Sequence, residues 1–334
     1  VSLEARRLGR SELQVSALGL GCWALGGEMA TGDQPLGYAG VDDAEAVRGL
    51  RRAVELGVTL FDTADVYGAG QSERLLAPVL ADNPQILVAT KFGNTYYEDT
   101  RQLTGSDTSP AYVRSALHAS LRRLGRERID LYQLHSQELR DEQADELIAA
   151  LEGFVSEGLI AWYGASTDDP DQAEKFAHAK HCTVMQIQLN VLDDNPEMLA
   201  ACDRHDLAAL CRSPLAMGLL GGRYTKTSTL PADDIRGRQP DWLRWFRDGH
   251  PDAGFLERID AVRETLTAGG RTLAQGALAW IWARHDRAIP LPGFRNAAQV
   301  EENVGALAHG PLRADEFAAI ERVLADYRAA EPSA

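Results

Sequence analysis

The sequence predicts an α/β protein, a closed (β/α)8 TIM barrel with an N-terminal β-hairpin plug and long loops at its C-terminal mouth, one domain over residues 1–334. Two observations predict it. Short apolar runs alternate with amphipathic stretches almost to the end of the chain, and eight such strand–helix steps fit a closed barrel better than an open doubly wound sheet. The three longest linkers all follow strands, the side of a barrel where active sites are built.

A Gly9-Arg10-Ser11 turn between residues 6–8 and 13–15 reads as the hairpin that plugs the barrel bottom. Strands are expected at 18–21, 60–62, 86–91, 129–135, 161–166, 185–190, 208–213 and 288–291. Leu, Ala and Val at helical spacing mark helices over 43–56, 110–124, 142–157, 196–205, 273–285 and 296–307, and a further helix over 315–328 is expected outside the barrel. Linkers 22–41, 92–109 and 221–254 exceed mere connections, and structureless loops longer than about 15 residues in compact domains are usually functional. The second carries Tyr96 and Tyr97, the third Trp242, Trp245 and Phe246, aromatics suited to an apolar lid over a pocket.

With 45% hydrophobic and 25% charged residues the chain reads as a soluble globular protein. Its 49 acidic against 34 basic residues, a net charge of −15, oppose nucleic acid or an anionic membrane as a partner, so any anionic ligand needs a local site. Cys22, Cys182, Cys202 and Cys211 form no C-x-x-C pair and read as reduced thiols. Residues 1–10 lack the apolar core of a signal peptide, and no run approaches the roughly 18 apolar residues of a membrane helix, so the expected compartment is the cytoplasm. The preference for Arg and Ala points to a GC-rich bacterial coding sequence. No heptad declares an oligomeric state.

Asp62, Lys91 and His135 each stand at or just past the end of an apolar strand, and Tyr67 follows Asp62 by five residues in the next loop. Strands two, three and four are neighbours in such a barrel, about 4.8 Å apart, so these side chains converge at the mouth. Among thirty arginines and four lysines, a lysine stands where a compact ammonium faces a buried pocket. Asp62 balances that charge, and a cation beside Tyr67 is expected to lower the phenol pKa from about 10 and let the hydroxyl donate a proton and take one back. His135 would orient a carbonyl oxygen or help relay the proton.

The stretches Phe61-Asp62-Thr63-Ala64-Asp65-Val66-Tyr67-Gly68, Ala89-Thr90-Lys91-Phe92-Gly93 and Asp130-Leu131-Tyr132-Gln133-Leu134-His135-Ser136 resemble the aldo-keto reductases. Leu8-Gly9-Arg10-Ser11 and Leu18-Gly19-Leu20-Gly21 resemble that family's hairpin and first strand, and the likeness runs almost end to end. It implies hydride transfer between NADPH (NADP+) and a small-molecule carbonyl substrate, with Tyr67 as general acid, Lys91 and Asp62 tuning it and His135 positioning the carbonyl. By the same resemblance Ser166 and Gln186 hold the nicotinamide carboxamide, and the loop from Ser213 through Leu215 to Gly218 wraps the pyrophosphate. The segment from Gly293 through Arg295 and Gln299 to Glu302 and Asn303 holds the adenosine end, with Arg295 on a 2′-phosphate. Gly19-Leu20-Gly21-Cys22-Trp23-Ala24 is no dinucleotide fingerprint, since no helix opens there; it reads as a strand running into a flexible loop. Trp23, Tyr96 and Trp242 are the expected substrate-pocket residues. One departure stands out: Arg212 occupies the position where many members carry an aromatic that stacks on the nicotinamide, and as a cofactor-binding residue its planar guanidinium can either stack on that ring or reach the pyrophosphate.

Two readings compete with carbonyl reduction. One is a cofactor-sensing or scaffold role on the same barrel, as in the potassium-channel β-subunits that resemble these reductases; the aromatic lid residues lean towards an enzyme. The other is a metal-dependent hydrolase, against which stand the absence of H-x-H on any strand and the placing of His178 and His181 on a helix or its end. Within the enzyme reading, the physiological direction could be sugar or alcohol oxidation. Arg236, Arg238 and Arg244 on the third linker are available for a polar or acidic substrate.

Overall fold

A computed structural model describes residues 4–136, 139 and 141–329. Eight parallel strands run in chain order around a ring: β1 (Leu20–Gly21), β2 (Leu60–Asp62), β3 (Leu87–Phe92), β4 (Ile129–Leu134), β5 (Ile160–Ser166), β6 (Cys182–Gln188), β7 (Ala208–Arg212) and β8 (Ala288–Pro290). The ring closes where Gly19 N–H donates to Pro290 O and Gly21 N–H to Pro292 O, both at 3.1 Å. In register, Asp62 lies opposite Ala89, and Lys91 opposite Gln133, so the ends of β2, β3 and β4 share one height at the mouth.

The covering helices are α1 (Asp43–Glu55), α2 (Gln71–Asp82), α3 (Pro110–Leu124), α4 (Asp141–Ser156), α5 (Pro170–Ala177), α6 (Pro196–Arg204), α7 (Ala253–Thr267), α8 (Leu273–Arg284), α9 (Ala297–Gly305) and α10 (Ala314–Ala329). Their starts follow local chemistry: Asp42 accepts from the N–H groups of Ala44 and Glu45, Ser109 precedes Pro110, and Thr272 with Gln275 forms a capping box on α8. Because α7 and α10 pack over it, α8 is buried along most of its length, and the Trp280 indole donates to Glu321 at 3.1 Å.

Three helices escape the periodic reading of the sequence. In α2, Pro78 costs a helix about 3 kcal/mol. The pyrrolidine sits on the exposed side, while Leu75, Leu76, Val79 and Leu80 bury their side chains and hold the turns together. The others are α5, only 8 residues long, and α7, which begins beside the long third linker.

At the bottom, Ala5–Arg7 pairs antiparallel with Gln14–Ser16, and Leu8 and Val15 seat among Leu60, Ala89, Leu131, Val184, Leu210 and Ile289. At the top, the first two long linkers are ordered rather than loose. Their short strands Gln34–Pro35, Ala30–Thr31, Gln102–Ser106 and Asn94–Tyr97 form one four-stranded sheet beside the mouth. After β1 the chain makes a 3-10 turn, Trp23–Gly26, where an irregular loop was expected. Among the described residues no helix is long and apolar enough to cross a membrane.

Candidate active site

Lys91 side-chain atoms have no exposed surface, because β3 delivers them into the ring just beneath the mouth. The ammonium donates to Asp62 Oδ2 at 2.6 Å, to Thr63 O at 2.9 Å and to Tyr67 Oη at 3.2 Å. The other Asp62 oxygen accepts from Gln186 Nε2 at 2.7 Å and Gln133 Nε2 at 3.1 Å. The carboxylate is therefore braced from both neighbouring directions and cannot swing away from the lysine. Burial alone pulls the Lys91 pKa down, but Asp62 and Tyr67 more than offset it, and the group stays above the usual lysine range.

Tyr67 is brought to this ammonium by a tight loop, and Gly68 makes that loop possible. Its φ is +60°, and a Cβ there would lie 1.9 Å from Gly26 O, so only glycine lets the Tyr67 loop lie against the Trp23–Gly26 turn. The Trp23 and Tyr67 rings stack at 5.9 Å, and His135 meets Tyr67 edge-on at 5.7 Å. The expected acidification of Tyr67 is corrected here. Burial pushes the phenol up, Lys91 pulls it down and Asp62 pushes it up again, leaving the pKa above that of an ordinary tyrosine. The hydroxyl is thus a standing proton donor, and the ammonium favours the phenolate only as the proton departs. His135 is pulled well below the usual imidazole range by burial, then by the positive charges of Lys91 and Arg212, and its Nδ1 is buried with no partner among the described residues. A neutral ring offers one N–H and one lone pair, which suits holding an oxygen rather than relaying a proton as imidazolium.

Tyr67, His135 and Asp62 line a cleft of about 840 Å³. Ser166, Gln186, Arg212, Ser213, Leu215, Gly218, Gly293, Arg295, Gln299, Glu302 and Asn303 line it as well. Lys91 lies beneath the wall.

The family model for the aldo/keto reductase family matches residues 17–325. The chain belongs to the aldo/keto reductase family. It is 28% identical over 92% of its length, and 87% of the relative's, to the aldo-keto reductase yakc [NADP(+)] of Schizosaccharomyces pombe. The holo form of aldo-keto reductase AKR11C1 from Bacillus halodurans superposes with a TM-score of 0.76 at 30% identity, covering 96% of each chain. The glycerol dehydrogenase AKR11B4 from Gluconobacter oxydans superposes at 0.81 with 28% identity over 98% of this chain and 97% of that one. As a member of the family the chain is an NAD(P)H-dependent oxidoreductase.

Not every residue expected at the site of this reductase lies there. Tyr96 is not among the cleft-lining residues; its ring packs with Met29, Ala64, Val66 and Ala69 beneath the mouth sheet. Trp242 does line the cleft, 58% exposed and 6.3 Å from Trp23, which lines it too. Trp245 and Phe246 are instead buried in the main hydrophobic core, the Trp245 indole donating to Asp193 at 2.8 Å. Arg236, Arg238 and Arg244 are engaged within the protein, by Asp234, by Asp33 O and by Asp193. Arg295 reaches the cleft, yet its guanidinium also donates to Ala39 O at 3.1 Å and Asp234 at 3.3 Å. Gln186, expected on a carboxamide, directs its amide nitrogen to Asp62.

Tyr38, Asn94, Asp168, Gln188 and Arg223 also line the cleft and were not singled out from sequence, while Arg236, expected as a polar-substrate residue, lines it too. Most sit on loops, where residue order carries no direction. The Tyr38 ring meets the guanidinium groups of both Arg236 and Arg295, at 4.9 and 5.2 Å, tying the first, seventh and eighth loops together at the cleft.

Proposed function

We propose that the protein reduces an aldehyde or ketone to an alcohol with NADPH, reversibly, and that Tyr67, Lys91, Asp62 and His135 are the residues that do it. The carrying observation is the Tyr67 hydroxyl at 3.2 Å from a fully buried ammonium, at the wall of a cleft of about 840 Å³. The donor set of that cleft suits such a cofactor. Arg223 and Arg295 place cations along it, and Gly218, at φ +93°, lets the main chain approach an anion without a side chain in between. The relative named for NADP(+) supports the phosphorylated form.

When bound, NADPH supplies the hydride that the carbonyl carbon receives. The protein's own part is at the oxygen. His135 holds the carbonyl oxygen by its neutral N–H, Tyr67 gives that oxygen its proton, and Lys91 stabilises the phenolate left behind. Asp62, braced by Gln133 and Gln186, keeps the ammonium in place. The substrate end is walled by Trp23, Met29, Leu36, Val66, Leu103 and Trp242, which favours an uncharged, apolar or planar carbonyl compound. The four buried, unpaired cysteines support a reducing compartment such as the cytoplasm.

NADPH oxidation over aldehydes, quinones, keto sugars and keto acids tests this reading beside Tyr67→Phe. The variant is expected to bind NADPH as the wild type does and to lose about 10²- to 10⁴-fold in kcat. Equal turnover by the variant would overturn the role of Tyr67; NADPH binding without turnover of any carbonyl would instead favour a cofactor-sensing role. A second reading, alcohol oxidation as the working direction, is favoured by the structural neighbour named glycerol dehydrogenase, since the same groups serve both directions.

A further inference from the structure

Arg212 ends β7 with its side chain in the cleft wall, and two residues fasten it. One terminal nitrogen donates to Gln188 Oε1 at 3.0 Å and the other to the Asp168 carboxylate. The second Asp168 oxygen is itself held by Gln188 N–H at 2.7 Å and Asn195 Nδ2 at 3.0 Å, so the guanidinium has a fixed position rather than a swinging one. Its charge is felt at the reacting oxygen's neighbours, since Arg212 is among the groups that pull down both Tyr67 and His135. The centre is therefore flanked by two ion pairs, Lys91–Asp62 below it and Arg212–Asp168 beside it.

This inference rests on the proposed cofactor. A carbonyl whose oxygen meets Tyr67 and His135 must have its carbon within bonding reach of the hydride donor, which places the nicotinamide in the part of the cleft that Tyr67, His135, Ser166 and Arg212 enclose. That ring is neutral when reduced and carries a positive charge when oxidised. A fixed cation at its wall disfavours the oxidised form and leaves the reduced form almost untouched. We propose that Arg212 is a specificity-determining residue that sets the site's preference for NADPH over NADP+, with Asp168 as the counter-charge that limits that preference.

Binding of each form is measured separately by quenching of intrinsic tryptophan fluorescence, since Trp23 and Trp242 line the cleft. Arg212→Gln is expected to lower the ratio of the NADP+ to the NADPH dissociation constant by roughly three- to tenfold, the size expected of one half-exposed charge acting at short range. Arg212→Lys should largely restore the wild-type ratio. Asp168→Asn should move it the opposite way, which a merely structural role for the pair would not produce. An unchanged ratio in Arg212→Gln, or a shift of the same sign in Arg212→Gln and Asp168→Asn, overturns the proposal. Failure of the wild type to bind either nucleotide would overturn the cofactor reading beneath it instead.

Discussion

A lysine with no exposed surface is costly unless its charge is matched, because an ion loses several kcal/mol of hydration on burial. Lys91 is matched by three acceptors, and Asp62 by three donors. Lys91→Met would leave that carboxylate buried without its cation, so we expect a loss of about 3–5 kcal/mol in urea unfolding together with loss of turnover. A variant as stable as the wild type would show that the pair contributes nothing to the fold. His135 gives a second prediction, with its sign set by a lowered pKa. The unfolded chain takes up a proton near pH 6.5 while the folded site still refuses it, so stability falls as the pH drops below about 6.5 towards the folded value, by up to about 1.4 kcal/mol per pH unit. In His135→Asn that component should vanish, leaving a shallower acid limb between pH 6.5 and the folded pKa; an identical limb would contradict the burial of a neutral imidazole. Lys91 was legible in the sequence because arginine serves nearly every other basic position. The net direction at Tyr67 was not, since it depends on how much water the fold removes.

At the scale of elements, the third linker, residues 221–254, forms a strap beside the cleft that is held by a small ionic knot. Asp234, 2% exposed, accepts from Arg236 Nε and Nη2, both at 2.7 Å, and from Arg295 at 3.3 Å. Ile235 N–H to Gly37 O at 2.9 Å stitches the same strap to the first loop. Removing the carboxylate leaves two guanidinium groups close to one another and to the Tyr38 ring without their shared counter-charge. Asp234→Asn is expected to open this segment locally, so that trypsin cuts after Arg238 and Arg244 several times faster while the unfolding midpoint of the barrel hardly moves. Unaltered cleavage kinetics would mean the knot does not hold the strap. The strands and most helices were readable because apolar spacing reports which face is buried. The mouth sheet was not, because its strands are two to five residues long and pair across distant loops, a length too short for periodicity to register.

Across the whole molecule, the hairpin plug and the proposed active site sit at opposite ends of the barrel. Leu8, 1% exposed, plugs the bottom among the inward-facing residues of six strands, while the cleft opens at the strands' C-terminal ends. Leu8→Ala should therefore cost about 2–5 kcal/mol by cavity formation and leave kcat of the folded fraction unchanged. A fall in kcat comparable to the fall in stability would show that the plug is coupled to the mouth.

The chain's own order of residues determined the barrel, the hairpin beneath it and the four groups at the ends of β2, β3 and β4 with the loop between. Alternation of apolar runs and strand-end position are local properties, written one after another along the chain. Only the tertiary structure decided which charges are already taken. Arg236, Arg238 and Arg244 are engaged, Gln186 braces Asp62, Arg295 is tied to Asp234, and Arg212 is fixed beside the reacting centre. Those partners lie up to hundreds of positions apart in sequence, and hydrogen bonding and desolvation act through space, so they exist only once the loops have closed over the cleft.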